Sequence, residues 1–168
     1  MAAALTCLQS GRGDMDLFLF DTFEGMSKPG EEDVQVSTGE SASSLLATND
    51  RRSEVWAYAP FEDVRRNLLG TGYQPSHLHF VRGKVEDTIP GNAPDQISIL
   101  RLDTDWYEST KHELVHLFPR LSKNGILIID DYGAWAGARK AVDEYFANRG
   151  LKPFLARIDN TGRLYVNA

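Results

Sequence analysis

The sequence contains a single cysteine, Cys7, among 168 residues. One cysteine cannot form a disulfide within the chain, so the composition excludes a disulfide-stabilised domain and fits a reducing compartment. Long apolar runs are also absent. Residues 1–8 are apolar but lack a basic leader, and they are too short for a signal peptide or a membrane span. We therefore expect a cytoplasmic protein with no membrane partner.

Positive charge is scarce as well. Eighteen Lys and Arg residues stand against 24 Asp and Glu, which gives a net charge of −6 and a pI near 5.2. An acidic chain lacks the basic surface that holds nucleic acid, so we expect no nucleic-acid partner and favour cations or small molecules. The hydrophobic fraction of 42% is ordinary for a globular protein. We expect residues 1–168 to form one domain.

Histidine is rare, yet two of the four histidines form the pattern His112-Glu113-x-x-His116. This pattern matches the signature of zinc proteases. At about 100° per residue, Leu114 and Leu117 share the buried face of a helix, and both histidines lie on the solvent side. A zinc site also needs a third protein ligand, and no histidine follows His116. We therefore expect no zinc site here.

Short apolar runs alternate with helical periodicity along most of the chain. The predicted strands are residues 16–20, 78–81, 97–102 and 125–129, and the predicted helices are residues 60–69, 106–118 and 135–149. The runs at 97–102 and 125–129 are nearly uninterrupted, which is typical of strands buried on both faces in a parallel sheet. Residues 153–158 and 163–167 predict a terminal antiparallel hairpin. The fold class is therefore an α/β sandwich with a mostly parallel sheet.

Residues 25–55 form a long connection that is rich in Ser, Glu and Asp and has weak periodicity. Long connections in compact domains are commonly lids or mobile segments. We expect a lid over a binding site, with a short helix over residues 41–47.

Acidic residues follow the two most apolar strands. Asp103 and Asp105 come after residues 97–102, and Asp130 and Asp131 come after residues 125–129. Neighbouring strands lie about 4.8 Å apart, and ligands of open α/β sheets bind beyond their carboxyl ends. Asp103, Asp130 and Asp131 should therefore converge, and such carboxylates repel one another unless a cation joins them. Oxygen ligands favour Mg²⁺, with Ca²⁺ or Mn²⁺ as alternatives.

Other interpretations of these acids stay open. An aspartate after a strand commonly caps the next helix, although doubled acids on successive strands favour an active site or metal site. The pattern Asp-x-Asp also begins the haloacid-dehalogenase phosphatase motif, but Tyr107 stands where that motif has threonine. Metal-dependent glycosyltransferases use the same pattern. Asp21, at the end of another predicted strand, either binds the hydroxyls of a ribose or begins a loop.

Four segments together resemble a known family. They are Phe20-Asp21-Thr22-Phe23-Glu24-Gly25, residues 83–90 (GKVEDTIP), residues 100–110 (LRLDTDWYEST) and Ile128-Ile129-Asp130-Asp131-Tyr132-Gly133. In this order they look like the TylF/MycF/NovP family of macrocin-type O-methyltransferases, which use S-adenosylmethionine and Mg²⁺. The resemblance runs from about Leu17 to Asn167. It implies a Rossmann-like class I methyltransferase fold and methyl transfer to a small-molecule hydroxyl, often on a sugar or phenol, commonly by a homodimer.

The resemblance also implies roles for individual residues. Asp103, Asp130 and Asp131 would hold the metal, and Asp105 would be the general base. Asp21 would contact the ribose of the cofactor with Thr22 beside it, and Lys84, Val85 and Glu86 would line the adenine.

A class I methyltransferase normally begins with a first strand and a Gly-rich loop, and only residues 1–16 precede the strand that ends at Asp21. We expect an N-terminally truncated member that lacks both elements. The sheet should then have a gap between the Asp21 strand and the Asp103 strand. The alternative is a non-catalytic member that binds a metal or a partner.

Overall fold

The computed structural model describes residues 1–168. The helices are α1 (Ala2–Gln9), α2 (Ala42–Thr48), α3 (Phe61–Leu69), α4 (Val85–Thr88), α5 (Tyr107–Leu117) and α6 (Ala136–Asn148). The strands are β1 (Leu17–Asp21), β2 (Leu78–Arg82), β3 (Ile97–Leu102), β4 (Leu121–Ile129), β5 (Ala156–Arg157) and β6 (Arg163–Val166). The predicted α/β class is confirmed, including the terminal antiparallel hairpin, which β5 and β6 form.

The strands form two separate sheets. Strands β1 and β2 pair in parallel, and the second sheet has the order β3-β4-β6-β5. In that sheet β3 and β4 are parallel, and β6 runs antiparallel to β4. No hydrogen-bonded ladder joins β1 to β3. The expected gap between the Asp21 strand and the Asp103 strand is therefore present.

Helices α5 and α6 cover one face of the second sheet. Their apolar residues recur at helical spacing, and Leu114 and Val142 are fully buried against Leu127 of β4. Burying a side chain of this size stabilises a fold by about 1.5–3 kcal/mol, so this layer is the main core. Helix α6 ends before Gly150, whose φ of +66° is the left-handed conformation typical of a helix terminus.

The expectation that β3 is buried on both faces is wrong. Leu100 and Leu102 are buried, but Ile99 is 64% exposed and Arg101 is also exposed. Side chains alternate between the faces of a strand, and α5 and α6 cover only one of them. Helices α1 and α3 pack on the β1–β2 sheet instead, around Ala4, Leu68, Tyr73 and Leu78.

None of the helices combines the length and the hydropathy that a bilayer-crossing segment needs.

Candidate active site

The parallel pairing of β3 and β4 brings the acidic residues together. Leu102 pairs with Ile129 at the ends of the two strands, and the backbone N–H of Asp130 donates to the carbonyl of Leu102 at 3.0 Å. Asp103 and Asp130 therefore leave the same edge of the sheet. Ligand oxygens of Asp103, Asp105 and Asp131 all lie within 4.8 Å of one another. Three carboxylates are thus gathered in one place beyond the strand ends.

Asp130 is turned towards an arginine. A guanidinium nitrogen of Arg101 lies 3.0 Å from the Oδ1 atom of Asp130, and another Arg101 nitrogen donates to Asp103. Arg101 therefore bridges two of the three predicted metal ligands. The carboxylate cluster therefore contains Asp105, the predicted base, together with Asp103 and Asp131. Asp130, a predicted metal ligand, is paired with Arg101 outside this cluster.

The carboxylates hold their protons more tightly than isolated aspartates do. Burial raises the pKa of Asp103 to about 7, against the opposing effect of Arg101. Burial also raises the pKa of both Asp105 and Asp131. After burial, the negative charge of Asp105 is the largest cause of the raised pKa of Asp131. The cluster thus takes up protons where a divalent cation would otherwise neutralise it.

Backbone geometry sets the direction of the Asp105 side chain. Asp105 has a φ of +66°, which lies in the left-handed region that non-glycine residues rarely adopt. The N–H of Trp106 donates to the carbonyl of Thr104 at 2.8 Å across this turn. The indole of Trp106 donates to the carbonyl of Ser27 at 3.0 Å and contacts Trp135 edge to face. These contacts of Trp106 fix the residue that follows Asp105.

A cavity of about 100 Å³ lies next to the acidic residues. All five residues predicted to bind the cofactor line it, namely Asp21, Thr22, Lys84, Val85 and Glu86. Asp103 and Thr104 line the same cavity. The cavity thus joins the loops after β1 and β2 to the turn after β3. The Oδ1 atom of Asp21 also accepts a hydrogen bond of 2.6 Å from the N–H of Phe23, which shapes the loop after β1.

The segment predicted as a lid is attached to both acidic loops. Asp33 is only 1% exposed, and its carboxylate accepts hydrogen bonds from the N–H groups of Tyr107 at 2.8 Å and Gly30 at 2.7 Å. The N–H of Val36 donates to the carbonyl of Ala134 at 2.8 Å. Residues 27–36 thus connect the start of α5 to the loop before α6. The sequence analysis did not single out Asp33.

Glu113 is a second buried acid that the sequence analysis missed. It lies between the two histidines of the pattern His112-Glu113-x-x-His116. The expectation that both histidines face solvent is wrong for His112, which is half-buried with its Nε2 atom 3.0 Å from the carbonyl of Ile89. Glu113 lies on the inward face of α5 together with the polar residues Ser109 and Thr110. The burial of its neighbours Leu114 and Leu117 was the signal that could have revealed it.

Comparison with known proteins gives a consistent result. The family model for macrocin O-methyltransferase (TylF) matches residues 1–167. A tetracenomycin-C rhamnosyl 4′-O-methyltransferase of Streptomyces olivaceus is 34% identical over 87% of this chain and 52% of its own length. Demethyldecarbamoylnovobiocin O-methyltransferase of Streptomyces niveus is 34% identical over 89% of this chain and 54% of its own length. The chain spans about half the length of these curated relatives.

Solved structures agree with these matches. The structure of the O-methyltransferase NovP superposes with a TM-score of 0.79 at 31% identity, over 96% of this chain and 64% of that one. The calicheamicin methyltransferase CalS11 superposes with a TM-score of 0.63 at 18% identity, over 90% of this chain and 60% of that one. The second similarity concerns the fold alone.

Proposed function

The chain belongs to the macrocin O-methyltransferase (TylF) family, and from that membership we propose that it transfers a methyl group from S-adenosylmethionine to a hydroxyl group of a small molecule. The relatives' names refer to O-methylation of a rhamnosyl-tetracenomycin and of demethyldecarbamoylnovobiocin, so we propose a sugar or phenol of a natural product as the acceptor. The observation that carries the proposal is the acidic cluster placed beside the cavity lined by Asp21 and Lys84. A homodimer, which the resemblance implies, is part of the proposal.

The residues fit a hard divalent cation. The available donors are all carboxylate oxygens, which suit Mg²⁺. Oxygens of Asp103 and Asp131 lie within 4.8 Å of each other and of the Asp105 carboxylate. We propose that Asp103, Asp130 and Asp131 hold the ion. Asp130 would have to exchange its ion pair with Arg101 for the metal. The raised pKa of Asp103 and Asp131 also implies that metal binding releases protons.

The division of roles follows from chemistry. Mg²⁺ would stabilise the deprotonated acceptor oxygen, and S-adenosylmethionine would supply the methyl group. Asp105 accepts the proton of the hydroxyl group in this scheme, because its raised pKa makes it a stronger base than an ordinary aspartate. The turn that fixes Asp105 supplies the positioning on which such a transfer depends.

The cofactor would lie across the cavity. In this proposal Asp21 and Thr22 would contact the ribose, and Lys84, Val85 and Glu86 would line the adenine, because all five residues line the cavity. The volume of about 100 Å³ is below the 300–1,000 Å³ that is typical of small-molecule sites. These residues would therefore enclose only part of the cofactor. Residues 25–55 would contribute a lid on the acceptor side, held by the Asp33 contacts.

The test compares Asp105→Asn with Asp95→Asn, an equivalent change at an exposed residue between β2 and β3. Transfer of labelled methyl from S-adenosylmethionine to glycosylated aromatic acceptors is measured with Mg²⁺ present, and Mn²⁺ affinity is measured by electron paramagnetic resonance. We expect Asp105→Asn to lose turnover by about 10²-fold or more and to keep its Mn²⁺ affinity. Full turnover in Asp105→Asn would show that the base is another group. Mn²⁺ binding without transfer in the unmodified chain would favour the non-catalytic alternative.

A further inference from the structure

We infer that Glu113 is a positioning residue for the acidic turn, defined as residues 103–105, and that it acts through the side chain of Thr104. The inference deepens the proposed function and rests on it, because the acidic turn carries the proposed base and one proposed metal ligand.

The contact between Glu113 and the acidic turn is direct. Glu113 lies in the second half of α5 and is 5% exposed. Its Oε2 atom accepts a hydrogen bond of 2.9 Å from the Oγ1 atom of Thr104. This is the one side-chain hydrogen bond of Glu113 within the chain. The buried carboxyl therefore has a single partner, and that partner stands between Asp103 and Asp105.

The same helix also holds the backbone of Thr104. The hydroxyl of Ser109 lies 3.2 Å from the carbonyl of Thr104 and 3.1 Å from the carbonyl of Trp106. Helix α5 thus contacts Thr104 at its side chain and at its carbonyl. Because Asp105 is held in the left-handed conformation, a turn released from these contacts would have other conformations available to it. Fixing Thr104 therefore fixes the directions of the carboxylates on either side.

A buried carboxyl group is less favourable here than an apolar side chain would be, if the position only had to be filled. Burying a polar group costs free energy that an apolar side chain of similar size avoids. The charges that act most strongly on Glu113 are those of Glu86, Asp103 and Asp131, all of which are acidic. Burial raises the pKa of Glu113 to about 8, so at lower pH the group is mostly neutral and contacts Thr104 without adding negative charge near the carboxylates.

The experiment uses paired variants of the whole chain. Thr104→Val removes the hydroxyl and keeps the shape, whereas Thr104→Ser keeps the hydroxyl. Glu113→Gln keeps an oxygen that can accept from Thr104, and Glu108→Gln is the matched control at an exposed position of the same helix. Mn²⁺ affinity is measured by electron paramagnetic resonance at a temperature at which thermal unfolding shows every variant to be folded.

We expect Thr104→Val to weaken Mn²⁺ binding by about tenfold or more, which is the usual effect of losing a residue that orients a metal ligand. Thr104→Ser, Glu113→Gln and Glu108→Gln should stay within about threefold of the unmodified chain, as expected when the orienting hydrogen bond is kept. If Thr104→Val binds Mn²⁺ as tightly as Thr104→Ser, or if Glu108→Gln is weakened equally, the inference is overturned.

The outcomes also separate this inference from the proposed function. The expected pattern of Mn²⁺ affinities together with no methyl transfer by the unmodified chain would overturn the function and leave the positioning role standing. If the unmodified chain transfers methyl in a Mg²⁺-dependent way but Thr104→Val binds Mn²⁺ normally, the proposed function stands and the positioning role is overturned. An unmodified chain that binds no Mn²⁺ would overturn both.

Discussion

The buried Glu113 should make the stability of the chain depend on pH, and Glu113→Gln should remove its share of that dependence. Burial raises the pKa of the Glu113 carboxyl from its ordinary value of 4.5 to about 8 in the folded chain. Glutamine has nearly the same shape and keeps an acceptor for Thr104, but it does not titrate. The substitution therefore isolates protonation from packing.

The sign of the effect follows from the order in which the protons leave. The folded chain keeps the proton of Glu113 up to a higher pH than the unfolded chain does. Raising the pH between the two pKa values therefore lowers the free energy of the unfolded chain relative to that of the folded chain. The contribution of Glu113 to stability is therefore fully present below about pH 4.5 and is lost as the pH rises towards about 8. Between about pH 5.5 and about pH 7.5 the loss is about 2 kcal/mol at 1.36 kcal/mol per pKa unit.

The assay is urea unfolding of the unmodified chain, Glu113→Gln and the exposed control Glu108→Gln at these two pH values, without divalent cations. From the lower to the higher pH, the free energy of unfolding of Glu113→Gln should gain about 2 kcal/mol relative to the unmodified chain, with similar urea dependence. Glu108→Gln should follow the unmodified chain. Parallel pH profiles for Glu113→Gln and the unmodified chain would refute the claim that Glu113 is protonated in the folded state.

Three further predictions concern the lid contact, the hairpin and the metal. Gly137→Ala should lower the free energy of unfolding by about 1–3 kcal/mol, because a Cβ atom there would overlap the carboxylate of Asp33; an unchanged thermal midpoint would contradict this. Gly133→Ala should destabilise by a similar amount of about 1–3 kcal/mol, since its Cβ would meet the backbone carbonyl of Asn160, and thermal unfolding checks it. Mg²⁺ affinity should rise with pH through neutrality because the ion displaces protons from carboxylates such as Asp103; calorimetry in two buffers of different ionisation enthalpy should detect proton release, and pH-independent binding would count against the site.

The sequence predicts the fold best where strand direction and the pattern of apolar residues alone determine where residues lie. The strand over residues 97–102 was predicted with the bounds that the structure has, because an apolar run that ends in acids has few alternatives. The convergence of Asp103 and Asp131 followed from the parallel pairing of two such strands. The break between the β1–β2 pair and the second sheet was also expected.

Features that depend on which side chains meet in space could not be predicted in this way. The ion pair of Arg101 with Asp130 depends on side-chain rotamers at the exposed face of β3. Burial of Asp33 depends on where a long loop crosses the N-terminus of α5. Helix α4 has only four residues, too few for periodicity to show. Strand β4 begins at Leu121, earlier than expected, because polar Lys123 and Asn124 were interpreted as a turn.

Transfer of labelled methyl from S-adenosylmethionine to a hydroxyl acceptor, with Mg²⁺ or with EDTA, tests the central claim most directly. The site architecture predicts product with Mg²⁺ and a loss of turnover in EDTA that added Mg²⁺ restores. The cause would be the carboxylates of Asp103 and Asp131, which cannot stabilise a deprotonated acceptor without a cation between them. Equal rates in Mg²⁺ and EDTA would contradict a metal-dependent mechanism, and a folded chain that methylates no hydroxyl acceptor with Mg²⁺ would contradict the proposed activity.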